Sequence, residues 1–208
     1  MSNLSDVVGG ANMSVVSSSS SYFSFAKDRF CNASSAIFFN NGSGLKVPSG
    51  IYFSGDFTVN AWINLKANNT PYNMRLIDFG QGNYNEWISI QIGSLKITFN
   101  SKINSTSGSG IATNSFIELN KWYHVTVTLN GTTGRIYVNG SLVVTGQLKA
   151  PRNVLRTENR IGNVNALAVY DDLKIYQRAM SPEQVLYDYI VSSNNGIYFL
   201  FFEIIFYN

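Results

Sequence analysis

Between residues 57 and 64, apolar and polar side chains alternate: Phe57, Val59, Ala61 and Ile63 against Thr58, Asn60, Trp62 and Asn64. The same period returns at 122–129, where Tyr123, Val125, Val127 and Leu129 alternate with Trp122, His124, Thr126 and Thr128. Successive side chains of a strand point to opposite faces, so a period of two marks a half-buried β-strand. Asn139-Gly140 then separates Ile136-Tyr137-Val138 from Leu142-Val143-Val144. Asn-Gly tolerates positive φ at both turn positions and predicts a tight type I′ hairpin.

Shorter strands are predicted at Ile37–Phe39, Met74–Phe79, near Asn159–Ile161, and at Ala168–Tyr176. Trp87–Ile92 and Leu95–Phe99 read as a hairpin about Gly93-Ser94. Lys66–Asn73, Gly80–Asn85 and residues 100–114 read as polar loops. One helix is predicted. Ser181 is its N-cap, Pro182 its first residue, and Gln184 closes a capping box. Its apolar face would be Val185, Leu186, Tyr189 and Ile190. Many short strands with turn signals between them define an all-β fold: a two-sheet antiparallel β-sandwich or jelly roll with one short C-terminal helix.

The sandwich is assigned to residues 35–192. Residues 1–34 are Ser-rich and read as irregular, with one strand near Tyr22–Phe25, and residues 1–30 are expected to be dispensable. Residues 193–208 form an apolar tail. Its core, Ile197–Phe206, is shorter than the roughly 20 residues a bilayer requires, so no membrane span is predicted. An extra strand, the start of a membrane segment and an unselected tail remain open for it.

Composition narrows the function. At 208 residues the chain fits one domain, with 13% charged and 14% aromatic residues. A net charge of +3 without a basic run excludes a nucleic-acid footprint. The lone Cys31 excludes an intrachain disulfide and argues against an oxidising compartment. Sequons at Asn3, Asn12, Asn32, Asn41, Asn68, Asn104, Asn130 and Asn139 point the other way, in a chain rich in Asn, Ser and Thr. The N-terminal residues lack the basic and apolar regions of a secretory signal, which fits either a protein made without one or a fragment of a longer product.

A run of segments in order carries a family resemblance: Phe57-Thr-Val-Asn-Ala-Trp-Ile63, Lys121-Trp-Tyr-His-Val-Thr-Val-Thr128, Arg135-Ile-Tyr-Val-Asn-Gly140 and Tyr170-Asp-Asp-Leu-Lys-Ile-Tyr-Gln-Arg-Ala-Met-Ser-Pro-Glu-Gln184. Over roughly residues 36–190 the chain resembles the laminin-G-like, concanavalin A-like lectin/glucanase jelly rolls. The resemblance implies an extracellular or surface-associated binding module for a glycan or a surface glycoprotein. It also implies a structural calcium ion, held by an Asp of the last strand, here Asp171, and by the first Asn/Gly loop, here Asn40–Gly44 with Asn41 as a candidate ligand.

Asp171 draws attention on independent grounds. Alternation over 170–176 puts it on the face of Leu173 and Ile175, where a carboxylate requires a partner. Calcium or an arginine would each meet that need. For a glycan, the candidate contacts are Tyr72, Asn83, Tyr84, Asn85 and Trp87, which offer rings for stacking and amides for hydroxyls. Trp62 and Trp122 are assigned to packing, and the single His124 to a structural role. Glycoside hydrolysis generally uses paired carboxylates, and only Glu86 lies at a plausible cleft strand. Neither Gly80-x-Gly82 nor Gly108-Ser-Gly110 has the strand–loop–helix setting of a phosphate cradle. The expectation is therefore a non-enzymatic carbohydrate-binding module. The alternatives are a structural or adhesion domain contacting other subunits or domains and, last, a divergent glycosidase.

Overall fold

The computed structural model describes residues 13–16, 23–40, 43–67, 73–82, 85–114, 117–163, 167–194 and 205–207. In chain order the strands are β1 (Ser14–Val16), β2 (Phe23–Ala26), β3 (Ala36–Asn40), β4 (Gly44–Val47), β5 (Phe57–Leu65), β6 (Met74–Gly80), β7 (Trp87–Gly93) and β8 (Lys96–Lys102). Then follow β9 (Gly108–Ala112), β10 (Trp122–Asn130), β11 (Thr133–Val138), β12 (Ser141–Gln147), β13 (Glu158–Asn163) and β14 (Leu167–Tyr176). Helix α1 (Pro182–Ser192) precedes a last strand, β15 (Ile205–Tyr207).

Two sheets form. One is seven-stranded, in the order β1-β4-β13-β6-β7-β8-β9. The other runs β12-β11-β10-β5-β14-β3-β2, with β15 adding in parallel to β14. The alternating apolar sets face each other between the sheets. Phe57, Val59, Ala61 and Ile63 of β5 meet Ile77 and Phe79 of β6 and Ile88, Ile90 and Ile92 of β7 in one cluster. Phe53 links the layers, its ring centre 4.6 Å from that of Phe57 and 5.2 Å from that of Phe79. Fully burying each such side chain contributes about 1.5–3 kcal/mol. This is the predicted sandwich, and the Asn139-Gly140 hairpin has the predicted positive φ at both residues, 49° and 76°.

Helix α1 has the predicted cap: the Ser181 hydroxyl accepts from the Gln184 amide, and the Gln184 side chain accepts from the Ser181 amide. Its packing face differs from the expected one. Val185 and Ser192 are buried, whereas Leu186 and Ile190 are exposed. The sheet face beneath the helix is polar and aromatic, so Asp188, Tyr189 and Ser192 turn inward to meet it.

Four further expectations change. Within residues 1–34, β2 is the strand expected near Tyr22–Phe25 and pairs with β3, and β1, which was not expected, pairs with β4. Residues 108–112 of the expected loop form β9; the glycine-rich sequence hides a strand whose bonds to β8 come from the backbone. The β7–β8 turn falls at Ser94-Leu95, φ 48° and 62°, one residue later than expected. Gly93 stays paired with Lys96, and the Asn73 side chain packs where a Cβ would project. Trp62 is buried beneath α1, outside the inter-sheet core, and Trp122 is half-buried.

The most consequential change is in β14. Asp171 pairs with Trp62 and Lys174 with Asn60, so three steps along β14 match two along β5. The extra residue is a bulge, with Asp172 at φ 47°. It reverses the parity of the strand. Asp171 therefore shares the outer face with Trp62, and Leu173 and Ile175 face the core.

Candidate functional site

The two sheets have very different outer faces. On the eight-stranded sheet, α1 and the loop after β2 cover a buried ionic cluster. Asp28 shapes that loop: one carboxylate oxygen accepts from the amides of Phe30 and Asn32 at 2.8 and 2.9 Å. This presents Arg29, whose guanidinium bonds Asp171 and Asp172 and donates to the Ser192 carbonyl at 2.9 Å. Its centre lies 5.0 Å from the Trp62 ring. Deeper under the helix, Asp188 accepts from Lys174 at 3.0 Å, Asn60 at 2.9 Å and His124 Nε2 at 3.1 Å. Burial is the main force lowering the His124 pKa, against the pull of Asp188. Burial, followed by the neighbouring Asp172 charge, pushes the Asp171 carboxyl up to about 7, while Arg29 opposes the shift.

A calcium ion does not fit this arrangement. The Arg29 guanidinium stands against Asp171 where a cation would have to sit. Asn40 pairs with Leu167, four residues from Asp171 and roughly 13 Å along the strand. Asn40, the described start of that loop, therefore does not reach Asp171. Asn41 itself lies outside the described residues, as do Tyr72, Asn83 and Tyr84. Arg29 was missed in the sequence because it lies in a segment read as irregular.

Among the described residues nothing covers the outer face of the seven-stranded sheet, and a groove of about 450 Å³ crosses β6–β9. Trp87 stands on one side. Its ring lies over Gly80, where a Cβ would fall 2.2 Å from the nearest ring carbon. The Arg75 guanidinium is 5.6 Å from the ring centre and bonds the buried Asp78. The floor is a chain of polar groups. Asn73 donates to Gln91 at 3.1 Å, Gln91 donates to Ser89 at 2.9 Å, and Asn100 donates to the same hydroxyl at 3.5 Å. Lys102 closes the far side, its stem against Gly108.

Of the expected glycan contacts, Trp87 lines this groove. Asn85 lies just before it and closes a turn, its amide donating to the Gly82 carbonyl at 3.0 Å. Ser89, Gln91, Asn100, Lys102 and Arg75 were not anticipated. The signal was available: Trp87, Ser89 and Gln91 alternate with Ile88, Ile90 and Ile92, which gives β7 one polar face ending in a tryptophan.

Glu86 is not part of the groove. Its buried carboxylate bonds the Arg152 side chain, and its carbonyl accepts from the fully buried Arg156 at 3.1 Å. Arg156 also bonds the Tyr52 carbonyl, so this clasp joins the segments before β5, β7 and β13. Burial lowers the Arg156 pKa to about 10.

The chain belongs to the concanavalin A-like lectin/glucanases superfamily, whose family profile matches residues 39–186. A solved structure of domain 4 of AbnA, a GH43 extracellular arabinanase from Geobacillus stearothermophilus, in complex with arabinotriose, superposes with a TM-score of 0.72 at 20% identity. That match covers 90% of this chain and 92% of the other. The binding domain of Paraclostridial Mosquitocidal Protein 1 superposes with a TM-score of 0.69 at 19% identity, over 90% of this chain and 49% of that one. At these identities the likeness is one of fold. The botulinum-like toxin eBoNT/J of Enterococcus sp. (strain 3G1_DIV0629) is 27% identical over 81% of this chain, which spans 14% of the toxin. No helix among the described residues is long and apolar enough to cross a membrane.

Proposed function

We propose that this domain is a non-enzymatic carbohydrate-binding module of a secreted or surface-displayed protein, with its saccharide in the groove of β6–β9. The observation that carries the reading is the pairing of an aromatic platform with an aligned polar floor on an uncovered sheet face. A sugar presents C–H faces to a ring and hydroxyls to amides. Trp87 offers the ring, while Gln91, Asn100 and Ser89 offer donors and acceptors held in place by their mutual bonds. Such preorganisation lowers the ordering cost of binding. The arabinotriose complex of the similar arabinanase domain supports a saccharide on this fold. Among the described residues the groove holds no pair of available carboxylates: Asp78 is bonded to Arg75, and Glu86 lies outside the groove, bonded to Arg152.

The test is a glycan array that includes arabino-oligosaccharides, followed by titration calorimetry on the strongest binder. Trp87→Ala is expected to lose at least about tenfold in affinity, as ring anchors dominate binding energy. Retained binding in that variant would move the site elsewhere.

A second reading, docking to another protein, is favoured by one feature. Leu186, Tyr187 and Ile190 are exposed on α1, and Leu142 is exposed on the neighbouring β12. A binding domain of botulinum neurotoxin DC, solved in complex with rat synaptotagmin II, shares the fold at a TM-score of 0.68, and this chain spans 47% of its length.

A further inference from the structure

We propose that the groove prefers oligosaccharides carrying an acidic group, a carboxylate or a sulfate ester, over their neutral parents, and that Lys102 reads that group. This rests on the saccharide reading of the same groove. Strands β7, β8 and β9 carry Lys96 and Lys102 but no Asp or Glu. The carboxylate that faces this region from β6, Asp78, is buried and bonded to Arg75. Among the described residues Lys102 forms no ion pair, unlike Arg29 and Lys174 on the opposite face, which bond carboxylates. Position matters as much as charge. Lys102 is the register partner of Trp87 on the adjacent strand. A saccharide stacked on the ring therefore carries its substituents to the ammonium. Gly108 clears the space in which the lysine stem lies, because a Cβ there would sit 3.1 Å from Lys102 Cγ. Neutral hydroxyls are already served by Gln91, Asn100 and Ser89, so a lone ammonium adds discrimination for an anion, to which it bonds as a point charge.

The experiment displays sialylated, uronate and sulfated oligosaccharides, each beside its uncharged parent, and measures the intact chain against all of them. At low salt at least one acidic series is expected to bind about threefold to fivefold tighter than its parent, the scale of an exposed ion pair. The preference should disappear in Lys102→Gln and in about 1 M salt, where the screening length is about 3 Å. It should persist in Lys27→Gln, which removes the same net charge after β2 in the other sheet. The carboxylate and sulfate arms identify which acid is read. Equal binding of acidic and neutral members through a Trp87-dependent site would overturn this inference and leave the saccharide reading standing. A preference that survives Lys102→Gln would also overturn it. An array on which no member depends on Trp87 would remove both.

Discussion

The two outer faces of the sandwich carry similar chemistry in opposite states. Each has a tryptophan, an arginine stacked near it, amides and carboxylates. On the eight-stranded sheet, Asn60 donates to Asp188 under α1, and Arg29 lies over the Trp62 ring and bonds Asp171. On the seven-stranded sheet, Trp87, Arg75, Gln91 and Asn100 line a groove of about 450 Å³. A covering helix turns polar residues into a mortar that fixes the helix in place. Left uncovered, the same residue types keep capacity for a ligand. Residue identity alone therefore cannot separate a structural polar cluster from a binding one; what lies over it does.

The comparison breaks most visibly at Arg29. Arg29→Ala leaves Asp171 and Asp172 adjacent and without their cation. Removing one partner of a buried ion pair costs about 3–5 kcal/mol, to be read as a shift in the urea midpoint. Saccharide affinity should not change, since the groove is on the other sheet. Deleting residues 1–30 removes Arg29 and β2 together and is expected to abolish soluble folded protein, contrary to the expectation from sequence. Chelator distinguishes the two counter-ions of Asp171. With the guanidinium in place, the melting temperature of the wild type should stay unchanged, and a fall would return calcium to this site.

The open face is sharpened at Gly80. A Cβ there would strike the Trp87 ring at 2.2 Å, so Gly80→Ala must tilt the platform without removing it. Saccharide affinity is expected to fall by about two- to tenfold, the range of an aromatic contact. A smaller fall than in Trp87→Ala, with little change in melting temperature, would show that ring orientation matters as well as ring presence.

The scaffold was legible because its signals are local and repeated. Alternation in β5 and β10, Asn139-Gly140 and the Ser181 cap each act over a few residues, and the structure has these elements where they were expected, although β5 is buried on both faces and not half-buried. The bulge at Asp172 was not legible, since one inserted residue reverses a strand's parity without altering its composition. Nor was β9, whose glycines carry no alternating side chains. The groove was visible only at Trp87. Its other members reach one another through register: Lys102 opposite Trp87, Asn100 opposite Ser89 and Gly110 opposite Asn100. A single strand's sequence does not contain its register.

The smallest expected effect comes from titration of the covered face. His124 is buried, with Asp188 on its Nε2, Lys174 on the same carboxylate, Arg29 beyond, and the Trp62 and Tyr189 rings against it. Its pKa is lowered in the fold, chiefly by burial, so the folded protein holds it neutral when the unfolded chain binds a proton near 6.5. Its contribution is present above pH 6.5 and is lost as pH falls toward the folded value. Asp171 acts in the reverse sense. Its raised pKa, about 7, makes its contribution greatest below the unfolded value near 3.8 and lost as pH rises through 7. Each slope is at most about 1.4 kcal/mol per pH unit. In urea titrations at pH 5.5 and 7.5, His124→Gln should therefore cost more stability at 7.5 than at 5.5, and Asp171→Asn should cost more at 5.5. Costs that do not vary with pH would show that the helix loosens over this face, admitting water to both groups and erasing the contrast with the open sheet.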